Sequence, residues 1–194
     1  MTPLAEMAQA VLECGDGRAK TALSRQYAED WRAAREGDGL PPIGHADPPL
    51  HPSRPAKPEL LSPRDVPHRK PGSPAGRIAL LHAVAHIELN AVDLHWDVIA
   101  RFTQIKMPMG FYDDWVKAAD EESKHFNLIC DCLEALGSHY GAFKAHNGLW
   151  DMVCKTSGDV LHRMALVPRV MEARGLDVTP GMMRKPVSYT HLRA

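Results

Sequence analysis

The chain has 194 residues, of which 44% are hydrophobic, so it is long enough to bury one substantial core. Its 23 lysines and arginines against 24 aspartates and glutamates give a formal net charge of -1, which excludes a global field that would recruit nucleic acid or an anionic membrane. Aromatic residues make up only 6% of the chain and long alternating runs of β-branched residues are absent, so the composition disfavours a β-sandwich or barrel and predicts an all-α fold.

The amino terminus does not have the character of a targeting segment. Its first twenty residues carry Glu6, Glu13 and Asp16 and lack a basic start followed by an apolar stretch, so we do not expect a secretory signal. The most apolar segment, residues 78–87, is well short of the roughly 20 residues that cross a bilayer. We therefore expect a cytoplasmic protein without a membrane span, whose four cysteines are reduced thiols.

Residues 1–38 are predicted to form short N-terminal helices. Apolar residues recur at helical spacing, Leu4, Met7 and Val11 among them, and the pattern is interrupted at residues 15–17, which contain two glycines. Each helix is amphipathic, so we expect both to dock on a larger body.

Residues 39–75 are predicted to be a proline-rich connector. Eleven of the 16 prolines fall there, and proline removes a backbone donor and fixes φ, so regular structure is not expected. The leucines interspersed among these prolines favour a strap laid over the rest of the fold rather than a flexible linker.

Residues 76–185 are predicted to form part of a helical bundle. The apolar periodicity indicates helices over residues 76–102, 111–136 and 147–174, and their short connections imply antiparallel packing. Pro168 must kink or split the third helix, because its ring collides with the carbonyl four residues earlier, and Gly158 supports a second break. No strand is expected.

Each of these helices carries a carboxylate on its apolar face. Glu88 lies on the stripe of the first helix, and Glu122 and His125 lie three residues apart on the stripe of the second. Glu172 follows the expected kink on the third. Several ionised carboxylates at one level of an apolar interior require a compensating cation, and iron or manganese accepts carboxylate oxygen together with imidazole nitrogen. On the spacing alone, the alternative to a metal site is that these are ordinary solvated side chains.

The sequence segments around these residues resemble a known family. The stretches are HAVAHIELNAVDLHWDVIARF, FYDDWVKAADEESKHFNLI, YGAFKAHNGLWDMV and RMALVPRVMEARGLDVTPGM, and RPAKPELLSPRDVP precedes them. They look like the ferritin-like family of domain of unknown function 455 and cover most of residues 53–185. More remotely, the architecture is similar to that of the di-iron hydroxylases that act on modified tRNA. The resemblance implies a ferritin-like four-helix bundle.

The resemblance also implies a metal site and a function. The positions that match the family's ligands are Glu88, Glu122, His125 and Glu172, and the implied cofactor is dinuclear iron, with manganese as a possible partner ion. The implied function is that of an oxygen-dependent oxidoreductase with an unknown small-molecule or RNA substrate. Two alternatives are open: a metal-binding or metal-handling protein without turnover, and a structural bundle whose inward carboxylates are protonated or paired with Arg101 or Lys124.

The chain departs from the family pattern near its end. The family-like sequence stops at about residue 185, so the fourth helix with the second Glu-x-x-His is missing, and residues 186–194 are predicted to be a non-native tail. Without the fourth helix, we expect marginal stability, weak metal binding and self-association through the uncovered face.

Three other histidines lie on the first of these helices. His82 and His86 are spaced as a possible zinc pair, but His86 faces away from Glu88 on the helix and is expected to hydrogen-bond a neighbouring helix or the strap. His95 shares the stripe of Glu88 but lies about 10 Å along the axis, which suits a supporting or pocket role. The aromatic segment 140–150 is interpreted as a packed turn, with substrate gating as the alternative.

Overall fold

The computed structural model describes residues 2–37, 41–67 and 73–169, and the structural statements below refer to these residues. They confirm an all-α fold. The helices are α1 (Leu4–Glu13), α2 (Gly17–Glu36), α3 (Pro74–Arg101), α4 (Met109–Ala135), α5 (Gly148–Lys155) and α6 (Val160–Met164), followed by a π-helical turn at Ala165–Arg169. Two short strands, β1 (Leu60–Leu61) and β2 (Ala145–His146), complete the described part.

Local signals explain where two of the longer helices begin. The Asp16 carboxylate caps α2 by accepting from the Ala19 amide at 2.8 Å, and the Ser73 hydroxyl caps α3 by accepting from the Gly76 amide at 3.0 Å. Pro74 occupies the first position of α3, where its missing N–H costs nothing. Both ends of α3 and of α4 lie within two residues of the predicted bounds, which confirms these two predicted helices.

The predicted third helix is interrupted between α5 and α6, and the break that Gly158 predicted is confirmed. The Thr156 and Ser157 hydroxyls bond back to carbonyls of α5 and end it, and Asp159 starts α6 by accepting from the Leu161 and His162 amides. The turn Ala165–Arg169 then widens, because it contains Pro168, which has no N–H to donate.

The expectation that no strand forms is also wrong, although only slightly. Leu60 and Leu61 of the strap pair in parallel with Ala145 and His146, and the Ala145 amide donates to the Glu59 carbonyl at 3.0 Å. Through this pairing, the backbone groups of these strap residues hydrogen-bond to protein in place of water. These residues of the strap therefore lie on the fold, as predicted.

The N-terminal helices dock on the long helices, as expected from their amphipathic faces. α1 packs on α3 and α2 packs on α4, which creates the main core. Trp96 of α3 is fully buried there, and its indole N–H donates to the Ser24 hydroxyl at 2.8 Å. Gly17 allows the close approach of α2, because a Cβ at this position would lie 3.0 Å from the Phe126 ring. The other buried residues include Leu4, Val11, Leu12, Trp31, Val92, Ile99, Val116 and Trp150.

A polar stripe is buried along α3, formed by His82, His86, Asn90, Asp93 and Asp97. Such groups are tolerated in an interior only when they have partners, and the partners come from other segments of the chain. The stripe therefore acts as the attachment line for those segments.

Two ion pairs on this polar stripe are fully buried. Asp93 pairs with Lys20 of α2, and Asp97 pairs with Arg163 of α6, with each side chain at most 1% exposed. Asp97 also accepts from Arg101, which in turn donates to the Pro49 carbonyl of the strap at 2.7 Å. α2, α6 and the strap are thus all held to α3 by charge.

Arg54 holds the strap to α3 and α5. Its guanidinium donates to Asn90 at 2.6 Å and to Asn147 at 3.1 Å. The same group lies 4.0 Å from Asp93 and covers the ring of Trp150, with 5.4 Å to the ring centroid.

None of the helices that the structure describes combines the length and the apolar character required for a bilayer crossing.

Replacing Asp97 is expected to destabilise the protein strongly. Asp97→Asn leaves Arg163 with an uncompensated charge at a fully buried position, so the free energy of unfolding is expected to fall by about 3 to 5 kcal/mol. Urea unfolding followed by circular dichroism measures the change. Asp131→Asn is the control, because it breaks an exposed pair with Arg18 and is expected to cost less than about 1 kcal/mol. Equal losses in the two variants would show that the buried pair does not hold α6.

Candidate metal centre

Glu88, Glu122 and His125 meet between α3 and α4. Each offers one ligand atom, and the three atoms lie within 4.8 Å of one another. The Nδ1 atom of His125 is 2.9 Å from a Glu122 carboxylate oxygen and 3.8 Å from a Glu88 carboxylate oxygen. The spacing of three on α4 brings Glu122 and His125 together, and the packing of α3 on α4 adds Glu88.

The two carboxyl groups perturb each other. Burial, reinforced by the hydrogen bond to Glu122 and the charge of that group, raises the pKa of Glu88 to about 9. Burial also acts to raise the pKa of Glu122, but hydrogen bonds to Glu88 and His125 and the charges of His95 and His125 outweigh it, so this pKa is lowered. In the metal-free protein Glu88 therefore carries the proton and Glu122 the charge.

The face that carries these residues is a groove rather than a closed core. The side chains of Glu88 and Glu122 are 18% and 25% exposed, but that of His125 is 54% exposed. The fully buried core lies on the other faces of α3 and α4, against α1 and α2. The His125 side chain is thus half exposed, and its predicted place in the interior of a bundle stays a prediction.

The fourth predicted ligand, Glu172, lies outside the described residues. The predicted ion pairs of these carboxylates with Arg101 or Lys124 are wrong, because Arg101 pairs with Asp97 and Lys124 pairs with Asp120 at 2.7 Å. Protonation, the other half of that alternative, agrees with the raised pKa of Glu88.

His82 and His86 both bond the loop between α4 and α5, whereas the prediction gave His86 a partner on a neighbouring helix or the strap. His86 accepts from the Tyr140 hydroxyl through Nδ1 at 2.8 Å and donates to the His146 carbonyl through Nε2 at 3.1 Å. His82 accepts from the Gly141 amide and stacks on Tyr140. Segment 140–150 is thus a packed turn, and both histidines are occupied there.

Sequence reasoning missed the two buried ion pairs of the polar stripe. Asp93 and Asp97 stand four residues apart among Val92, Leu94, Trp96 and Val98, so charges in an apolar run were the available signal. Their partners are 73 and 66 residues away, and nothing local identifies them.

The fold and the site define an all-α protein with a carboxylate and histidine cluster between two long helices. The chain belongs to the family described as "Protein of unknown function (DUF455)", whose model matches residues 13–193. The match includes α2 and the strap, so these segments are part of the family's sequence. It also extends into residues 186–194, the predicted non-native tail, which lie outside the described residues.

A curated relative supports the same assignment. An uncharacterized protein of Haemophilus influenzae is 48% identical over 136 residues, which are 68% of this chain and 47% of the relative. The chain thus spans about half the length of this relative. No solved structure matches the chain.

The shifted pKa of Glu88 predicts a pH dependence in chelator-treated protein. The folded state keeps this proton up to about pH 9, whereas the unfolded chain releases it near 4.5, so the stabilisation is complete below pH 4.5 and is lost as the pH rises towards 9. Glu88→Gln lacks this loss, so its melting temperature relative to the parent is expected to increase over that range. Glu121→Gln, at an exposed position of α4, controls for the loss of a charge. A difference between Glu88→Gln and the parent that is constant with pH would contradict the assignment.

Proposed function

We propose that this protein is a carboxylate metalloprotein that binds iron or manganese between α3 and α4 and uses it in oxygen-dependent redox chemistry. The observation that carries the proposal is the convergence of Glu88, Glu122 and His125 within 4.8 Å, from two helices that are fixed by the core. A structural bundle has no need for a carboxyl group such as Glu88, whose ionisation is made costly by burial and by the neighbouring Glu122.

The donor set fits a divalent first-row ion. Two ligand atoms of one ion, each about 2.1 Å from it, lie at most about 4.2 Å apart. The three ligand atoms lie within 4.8 Å of one another, so side-chain rotations that move them by about half an ångström would let all three bind one ion. Two carboxylates and one imidazole supply two negative charges and leave coordination positions for water or substrate. These three ligands suffice for one ion. The dinuclear iron centre that the family resemblance implies needs further ligands, and Glu172 is proposed as one of them.

Each residue has a separate task in this proposal. Glu122 orients His125 through the 2.9 Å contact and carries the charge that attracts a cation. The positive charge of a bound cation would offset the repulsion between the two carboxylates, so Glu88 would release its proton. The half-exposed ring of His125 borders the outer side of the cluster. When bound, the metal supplies redox capacity and a Lewis-acidic position for dioxygen.

Metal handling without turnover is the second candidate, and the exposure of His125 favours it. A side chain that is 54% exposed gives ions direct access from solvent, which suits exchange as well as catalysis.

Metal titration tests the ligand set. The loss of an outer hydrogen-bonding partner already costs a metal site about 10- to 100-fold in affinity, so Glu122→Gln is expected to weaken Mn²⁺ or anaerobic Fe²⁺ binding by at least about 100-fold. Glu121→Gln, its exposed neighbour, should bind as the parent does. Saturating metal should raise the melting temperature of the parent, because ligand at 100 times Kd adds about 2.7 kcal/mol to the unfolding free energy. Equal affinity in both variants would overturn the site.

Oxygen consumption separates the two metal candidates. Protein loaded with Fe²⁺ is expected to consume dioxygen faster than the same concentration of free iron, and Glu122→Gln is expected to abolish the difference. An oxygen electrode gives the rate. Tight iron binding without accelerated consumption would establish metal handling in place of redox catalysis.

A further inference from the structure

A row of rings runs from α3 across α4 to α2. His95 of α3 packs on Trp115 of α4 with ring centroids 5.2 Å apart, and Trp115 lies 5.9 Å from Phe111. Phe111 lies 5.4 Å from Tyr112, and Tyr112 lies 6.4 Å from Trp31 of α2. Centroid separations of about 4.5 to 7 Å are typical of interacting aromatic pairs. The rings thus form one continuous aromatic chain: His95, Trp115, Phe111, Tyr112 and Trp31.

The His95 end of the aromatic chain adjoins the carboxylate and histidine cluster. His95 lies seven residues after Glu88, on the same face of α3 and about 10 Å further along the axis. Burial lowers the pKa of His95, and the charge of Glu122 and a hydrogen bond to the backbone of Ala91 oppose this shift. The charge of Glu122 acts on the ring because the two side chains are close, so the aromatic chain begins beside the cluster.

The Trp31 end of the aromatic chain is held by a charged pair. The Trp31 indole N–H donates to the Asp113 carboxylate at 2.8 Å, and Arg35 donates to both oxygens of that carboxylate at 2.9 and 3.0 Å. The hydrogen bond from Arg35 outweighs burial and lowers the pKa of Asp113, so this carboxylate is ionised at neutral pH. A negative charge beside an indole stabilises the cation that remains when the indole loses an electron.

Tyr112 is less suited than Trp31 to remain oxidised. A phenol that loses an electron also has to release its hydroxyl proton, whereas an oxidised indole can keep its N–H. Burial raises the pKa of Tyr112 and outweighs the hydrogen bond from the Met107 backbone, so the hydroxyl gives up its proton less readily than usual. The Met107 amide is a donor and cannot accept that proton. An electron vacancy on the aromatic chain is therefore more stable on Trp31.

We propose that the aromatic chain transfers single electrons to the cluster and that Trp31 is the residue that remains oxidised. Indole and phenol are the aromatic side chains that lose an electron most easily, and Phe111 provides the contact between Trp115 and Tyr112. One electron leaves Trp31 and reduces the oxidant that dioxygen forms with bound iron. No bond breaks, and the indole keeps its proton against Asp113. A one-electron reductant such as ascorbate then restores Trp31.

This inference rests on the proposed function for the source of the oxidant, but the electron transfer can be tested without metal. A ruthenium-bipyridine photosensitiser is attached to the thiol of a His125→Cys variant, in which Cys132→Ser removes an exposed thiol. Mass spectrometry verifies the labelled position. A laser flash in the presence of a soluble electron acceptor leaves the ruthenium oxidised, so it takes the place of the oxidant at the cluster. Transient absorption and electron paramagnetic resonance identify the ring that has lost the electron.

The labelled protein is expected to form an indole radical cation on Trp31. Trp31→Phe is expected to remove this signal, and Trp115→Phe is expected to slow its appearance, because it removes the oxidisable ring nearest the cluster end. Asp113→Asn is expected to shorten the lifetime of the radical, because it removes the charge that stabilises the cation. Trp150→Phe is the matched control, because this buried indole, which is 1% exposed, lies outside the aromatic chain, and the Trp31 signal should persist.

Three outcomes would overturn the proposal: no indole radical in the labelled protein, an unchanged spectrum in Trp31→Phe, or equal loss of the signal in Trp150→Phe. Circular dichroism verifies that each variant keeps its helix content. If Trp31→Phe fails to fold, Asp113→Asn decides, and an unchanged radical lifetime in that variant contradicts the assignment.

Metal titration of the unlabelled protein separates this proposal from the proposed function. Trp31→Phe leaves Glu88, Glu122 and His125 in place, so it is expected to bind Mn²⁺ as the parent does. A Trp31 radical in the labelled protein without metal binding in the parent would overturn the proposed function alone. Metal binding in the parent without a Trp31 radical in the labelled protein would overturn the electron transfer alone.

Discussion

The buried charge pairs of α3 are the constraint on which the other contacts depend. An ionised group in an interior costs several kcal/mol after relaxation, and the cost is offset only by a partner with good geometry. Asp93 and Asp97 each obtain such a partner from a different segment, Lys20 of α2 and Arg163 of α6. Because the aspartates cannot move relative to each other on one helix, they fix where both segments lie.

That constraint also determines which face of α3 remains available for chemistry. The polar stripe and the N-terminal helices occupy most of its circumference with core contacts, and every residue from Val92 to Ala100 is buried. The face with Glu88 and Ala91 is less covered by the described residues. Structural carboxylates are thus paired and enclosed, whereas the candidate ligands are grouped together at an accessible position. Asp97 has two arginine partners and holds the fold, whereas Glu88 has another carboxyl group as its neighbour, and the proposed function assigns it to a cation.

Periodicity was sufficient for the parts of the molecule that depend on neighbours in sequence. The limits of α3 and α4 and the convergence of Glu122 with His125 follow from helical spacing, and the meeting of Glu88 with both follows from antiparallel packing. Features that depend on distant partners were not accessible. Lysine and arginine usually lie on the surface, and only the tertiary structure shows that Lys20 and Arg163 are at most 1% exposed. Gly158 indicated the break in the predicted third helix, but periodicity does not detect the hydroxyl bonds to the backbone that end α5 or the cap at Asp159 that starts α6.

The strap has an unusual consequence for local unfolding, because Arg54 connects it to Asn90, Asn147 and Trp150 at once. Segments without regular structure ordinarily open independently, and their amides exchange with solvent through small fluctuations. Here the strap cannot detach without exposing the polar stripe of α3 and the start of α5. Its bonded amides, such as that of Ser53, which donates to the Leu12 carbonyl, are therefore expected to exchange together with the core helices. An irregular segment would thereby share the protection of the helices that it covers.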